Sequence, residues 1–120
     1  MDKPVIIKGT RYQAGLKAGR EFPRLLKTAV DFYMGLFKQI TGEDPERVRA
    51  RAKKFRKYLS QNAGLQFEEL TGMSRASGVG IDDLVMLNSR SEMLSKERTD
   101  ECTSAGLVPY RTRNGKIIMG

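Results

Sequence analysis

The apolar positions of the chain fall into one short run, a long helical stretch and a final extended stretch. Val5-Ile6-Ile7, between Pro4 and Gly9, has the form of a short buried strand. Thr10 then suits a helix N-cap, and Tyr12, Leu16 and Gly19 share one face at helical spacing. Gly15 and Gly19 are poor helix formers, so their place in this pattern predicts close approach to another backbone. The segment is too polar for these glycines to be a transmembrane dimer face.

Pro23 acts either as a kink or as the first turn of a second helix. In the dense stretch that follows, Leu26, Val30, Tyr33, Phe37 and Ile40 form a stripe that Leu25, Phe32 and Leu36 widen. A helix so apolar around its girth is expected to be buried on more than one side, with Gly42 ending it. Asp44-Pro45 is a helix start, an N-cap acid followed by proline at the first helical position. The next helix carries Val48, Ala52, Phe55 and Leu59 on one side, and closes near Asn62-Ala63-Gly64. A shorter helix is expected from Leu65 to about Arg75, using Phe67 and Leu70. Ser77-Gly78-Val79-Gly80 is a turn rather than a phosphate cradle, since a third glycine and a preceding strand are both missing. Asp82 and Asp83 fall in the first turn of the next helix, where carboxylates suit the positive dipole end. Leu84, Leu87 and Leu94 supply its apolar face, with Asn88 and Glu92 within mutual reach on one side.

Near Cys102 the pattern changes to period two. Thr103 to Gly120 has the form of two strands around Arg113-Asn114-Gly115-Lys116, Asn-Gly being a strong hairpin signal. The expected class is therefore α+β, with a mostly helical segment over residues 1–101 leading into a β-hairpin over 102–120. The two parts make a single partial domain. The second strand, Lys116-Ile117-Ile118-Met119, is apolar and has no sequence after it to pair with its edge. This leads to the expectation that the chain is truncated, or works with a separate partner chain.

Composition narrows the chemistry. In 120 residues there is no histidine and one cysteine. Imidazole bases and ligands, an intrachain disulfide and a thiolate metal cluster are thereby excluded. No apolar stretch reaches the ~20 residues of a membrane span. Met1-Asp2-Lys3-Pro4 does not have the form of a secretory signal, so the expectation is no signal peptide and, by default, a cytoplasmic location. The formal net charge of +8 suits a polyanionic partner or a merely solvated surface. Its densest expression is the other side of the third helix, with Arg47, Arg49, Arg51, Lys53, Lys54, Arg56 and Lys57. No aromatic residues interleave these cations on the exposed side, so a solvated face is the plainer reading.

Cys102 stands at the boundary between the two patterns, and a lone cysteine ordinarily serves as a small buried apolar residue. One route to an activated thiol needs no second side chain. Scission of the Glu101–Cys102 bond would make Cys102 an N-terminal residue, with its own α-amino group as base. That amine has a reference pKa of about 7.7–8.0 and is poised near neutrality, whereas lysine at about 10.4 is not. Before scission, Asp100 and Glu101 disfavour a thiolate.

Three stretches carry a likeness to a known family. They are Gly9-Thr-Arg-Tyr12-Gln-Ala-Gly15-Leu-Lys-Ala-Gly19, then Gly80-Ile-Asp-Asp-Leu84-Val-Met-Leu-Asn88-Ser-Arg90-Ser-Glu92, then Asp100-Glu101-Cys102-Thr103-Ser104 with the hairpin after it. In this order they resemble the N-terminal part of the acyl-coenzyme A:isopenicillin N acyltransferase family, the C45-type cysteine N-terminal-nucleophile hydrolases. The resemblance implies that Cys102 is a nucleophile freed by autoproteolysis after Glu101, with Ser104 as a supporting hydroxyl. It implies a small helical subunit over 1–101 and the start of an αββα sandwich, whose remainder would be the missing partner. Amide or acyl-CoA thioester substrates are implied, and no cofactor. The alternative function is a small basic binding module for nucleic acid or another anionic partner, built on the Arg47 to Lys57 face. That alternative leaves Cys102 and the hairpin without purpose. Asn88, Arg90, Glu92 and Tyr12 are given structural roles.

Overall fold

The computed structural model describes residues 3–95 and the backbone of 106–107 and 118–119. Six helices occur among these residues, α1 (Arg11–Glu21), α2 (Pro23–Thr41), α3 (Pro45–Asn62), α4 (Gly64–Ser77), α5 (Ile81–Asn88) and α6 (Arg90–Leu94). Their ends follow local chemistry. The Thr10 hydroxyl accepts from the Gln13 amide at 3.2 Å, while the Gln13 side chain accepts from the Thr10 amide at 3.0 Å, forming a capping box. Pro23 begins α2 rather than kinking a longer helix, its missing N–H costing nothing at that position. Gly42, at φ +75°, ends α2 in the left-handed region. Asp44 caps α3 by accepting the Arg47 amide at 3.0 Å.

The α1–α4 pair is the closest contact in the fold. A Cβ added at Gly15 would stand 2.0 Å from the Glu69 carbonyl oxygen, and one at Gly19 2.6 Å from that of Met73. On the facing helix, a Cβ at Gly72 would lie 2.3 Å from the Tyr12 carbonyl oxygen. The two backbones therefore touch where glycine removes the side chains. Arg11 to Glu69 at 3.1 Å and Arg75 to the Tyr12 hydroxyl at 3.2 Å close the edges of this seam. Tyr12 thus has the bonded hydroxyl expected of a packed ring.

The remaining helices surround one apolar cluster. Val30, Met34 and Phe37 come from α2, Val48, Ala52 and Leu59 from α3, Leu70 from α4, Leu84, Val85 and Met86 from α5, and Met93 from α6. Arg51 ties the last of these in place. Its guanidinium donates to Glu43 and, at 2.7 Å, to the Met93 carbonyl. It thereby satisfies a carbonyl in the last turn of a helix too short to hold itself. Arg51→Ala is expected to cost about 1.5–3 kcal/mol in urea unfolding, the usual scale for hydrogen bonds to a charged group. Arg51→Lys should recover less than half of it, because an ammonium cannot reproduce the planar fork.

Several expectations are corrected. The α+β class does not hold, because the described body is all-helical. Extended pairing is confined to Gly106–Leu107 against Ile118–Met119, antiparallel, with Gly106 opposite Met119. Two residues on a side make no sheet layer against which the helices could pack, so an α+β architecture is absent from the described structure. The Asn114-Gly115 turn lies outside the described residues. Val5-Ile6-Ile7 forms no strand and is exposed, Ile6 by 69%, because no described segment lies alongside to pair with it. The helix expected from Asp82 to Leu94 is broken at Ser89 into α5 and α6. Its core residues are Leu84, Val85, Met86 and Met93, with Leu87 and Leu94 only partly buried. Finally, α2 is buried along one side only, and Leu25, Phe32 and Ile40 face out.

Candidate functional site

The residues that the sequence marks for nucleophilic chemistry, Glu101, Cys102 and Ser104, lie outside the described residues. Among the described residues that precede them, the last helix is α6, which ends at Leu94. Among the described residues no group of histidine, cysteine and acidic side chains could hold a metal ion.

The basic side of α3 differs from its reading as a solvated surface. Three of its arginines reach across to carboxylates on other segments. Arg49 grips Asp83 with two nitrogens at 2.8 and 3.4 Å, Arg51 pairs with Glu43, and Arg56 meets Asp82 at 3.0 Å. The hydrogen bond to Asp83, followed by its charge, holds the Arg49 guanidinium above its already high ordinary range. The Arg49 guanidinium therefore stays charged throughout the neutral and alkaline region. Asp82 and Asp83 thus do more than favour a helix dipole, since they fasten α5 to α3. Arg47, Lys53, Lys54 and Lys57 form no ion pair among the described residues, leaving a thinner cationic face than the sequence suggests.

An open groove of about 620 Å³ is bounded by α3, α4 and the α5–α6 junction. Phe55 and Leu59 supply apolar surface, and Tyr58 is a lip that remains 62% exposed. Gln66, Asn88, Ser89, Lys54 and Glu92 complete the lining. The Gln66 amide donates to the Asn88 side-chain oxygen at 3.0 Å, joining α4 to α5. Ser89, at the helix break, is the buried polar residue of the described body.

Asn88 and Glu92 do share one surface, but not as neighbours on one helix. The break at Ser89 places them on successive short helices, and Asn88 bonds to Gln66 instead. Arg90 donates to the Leu87 carbonyl at 2.6 Å and lies over the Tyr33 ring at 5.1 Å, a structural use of its charge. Sequence reasoning did not single out Gln66, Tyr58 or Lys54 as parts of a common site. Tyr58 carries the one available signal: exposed by 62% beside Lys54 and Lys57, it corrects the expectation that no aromatic residue stands among the cations on the exposed side of α3.

The class that these observations define is an all-helical body with a glycine-seamed helix pair and an open, mixed-polarity groove. No protein-family model matches the chain, and no solved structure matches it. No helix among the described residues is long and apolar enough to cross a membrane.

Proposed function

We propose that this chain is the N-terminal helical part of a self-processing cysteine amidohydrolase or acyltransferase, with Cys102 as nucleophile. The observation that carries the reading is Cys102 itself, the sole cysteine of a histidine-free chain, set directly after the acidic pair Asp100-Glu101. In such a chain the α-amine released by scission after Glu101 is a base matched to a thiol near neutral pH. The glycine spacing Gly15–Gly19 that opens the resemblance has a tertiary use, the seam with α4, which supports treating that stretch as a structural signature.

The chemistry runs in two stages. Hydrolysis of the Glu101–Cys102 peptide bond leaves a carboxylate on Glu101 and an amine on Cys102. That amine then takes the thiol proton, and the thiolate adds to an amide or acyl-CoA thioester carbonyl. Collapse forms a thioester to Cys102 and expels the amine or thiol leaving group, which receives the proton. Water or an acceptor amine attacks the acyl-enzyme and regenerates the thiol. Ser104 would lend a hydroxyl near the reacting carbonyl.

Intact-mass measurement on protein expressed from the whole open reading frame tests this. Two pieces with the break between Glu101 and Cys102 are expected, and Cys102→Ala should remain whole. An uncut wild-type protein, or a Cys102→Ala variant cut at the same bond, would overturn the proposal.

A further inference from the structure

We infer that the outer side of α3 binds single-stranded nucleic acid, with Arg47, Lys54 and Lys57 meeting phosphates and Tyr58 stacking on a base. Arg47, Arg51, Lys54 and Tyr58 follow one another at helical spacing, so one side of α3 carries all of them over about 16 Å. Lys54 lines two concavities. One, of about 590 Å³, also has Arg47 and Arg51 in its wall, and the other is the groove that Phe55 and Tyr58 border. Cations and an aromatic ring therefore stand along adjoining hollows of the same helix.

The charge left on this side is positive. Arg49, Arg51 and Arg56 are spent on carboxylates, whereas Arg47, Lys53, Lys54 and Lys57 are exposed and form no ion pair among the described residues. Glu46 on the same helix and Glu92 in the groove lining offset only half of those four cations. The chain as a whole carries +8, which draws a polyanion toward that surface from a distance. Charge alone would suit any polyanion, and Tyr58 narrows the choice. It is 62% exposed beside Lys54 and Lys57, and a base of any identity can stack on such a ring while its phosphates meet the neighbouring cations. A duplex keeps its base faces inside its own stack, so an unpaired strand is the match. An anionic membrane would call for apolar side chains to insert, and Val48, Ala52 and Leu59 of α3 are already committed to the core. The assignment uses no residue of the Cys102 chemistry.

Fluorescence anisotropy of a labelled oligothymidylate, about twelve nucleotides long, titrated with the chain at several salt concentrations tests the inference. A dissociation constant of about 10 μM is expected at physiological salt, with log K falling against log salt at a slope of about −2, the value for three phosphates. Arg47→Gln, Lys54→Gln and Lys57→Gln should each make that slope shallower by about 0.7. Tyr58→Ala should weaken binding about fivefold at unchanged slope, and Tyr58→Phe should restore it. These positions are exposed, and an unchanged helical circular dichroism spectrum would establish that the variants fold. Cys102→Ala should bind as the wild type does, which keeps a failure here separate from a failure of the proposed nucleophile. Absence of binding at low salt, or a slope that none of the glutamine variants alters, would overturn the inference. So would undiminished binding by Tyr58→Ala, the result expected of a surface that senses charge alone. Tighter binding to phosphatidylserine vesicles than to the oligonucleotide would overturn it too, by assigning this side of α3 to a membrane.

Discussion

Gly15→Ala is expected to destabilise the protein by about 2–3 kcal/mol, the cost of forcing atoms into a packed interface. The new methyl would sit 2.0 Å from the Glu69 carbonyl oxygen and 2.9 Å from the Met73 amide nitrogen, both backbone atoms of α4. Neither can turn aside as a side chain would, so α1 must move away from α4 along its whole length. That movement also strains the Arg11–Glu69 and Arg75–Tyr12 contacts that close the seam. Alanine's better helix propensity, about 0.5–1 kcal/mol, opposes the loss without cancelling it. Gly35→Ala is the internal control. Nothing lies within 4 Å of a Cβ added there, so the same substitution should stabilise α2 by roughly that propensity difference. Urea unfolding of the two variants should therefore move the midpoint in opposite directions. Equal shifts of the same sign would refute the backbone-to-backbone seam.

The second large effect is at Phe37, which is fully buried in the common cluster. Phe37→Ala should cost about 3–5 kcal/mol through lost transfer energy and an unfilled cavity. Set against a usual total of about 5–15 kcal/mol, this threatens the folded state at ordinary temperature. Phe37→Leu should cost about 1.5 kcal/mol or less, provided the neighbours repack. Phe32→Ala supplies the contrast. Phe32 is 62% exposed, and the described structure gives it an edge-to-face contact with Tyr33 at 5.2 Å. Its loss should stay within about 1 kcal/mol, which thermal denaturation of the three variants would establish.

Phe32 and Phe37 also show where sequence reading stops. Both lie on the broad apolar stretch of α2, and periodicity puts Phe37 on the main stripe with Phe32 beside it. The same stripe also holds Ile40, which is exposed, so it does not say how much of the stretch is covered. Which side is covered depends on where α3, α5 and α6 lie, and those positions arise from contacts remote in sequence. Met34 was passed over for the same reason. Val5-Ile6-Ile7 shows a related limit, since β-forming side chains make a strand only when a second backbone takes up their hydrogen bonds. The expected α+β class failed on that point, because the described chain supplies a six-helix body and only a two-residue extended pairing.

The candidate groove was legible only in fragments. Asn88 and Glu92 drew notice by their spacing, but the interruption at Ser89 changed their relation and passed Asn88 to Gln66. The basic side of α3 was plain from the sequence, whereas its neutralisation by Glu43, Asp82 and Asp83 was not. Charges far apart along the chain become partners only once helices are placed.

Local punctuation of the fold is written in the residues themselves. Thr10, Pro23, Gly42, Asp44-Pro45 and the Ser77 to Gly80 turn each act through their own backbone or that of near neighbours. Composition also limited the available chemistry, by offering one thiol and no imidazole. Tertiary structure alone decided which side of α2 is covered, what Gly15 and Gly19 approach, which arginines are spent in pairs, and that Gln66, Asn88 and Tyr58 border one groove. Caps and turns are governed by interactions within a few residues, so they can be read in order along the chain. Faces, seams and grooves are properties of surfaces brought together, and they exist only after the helices have packed.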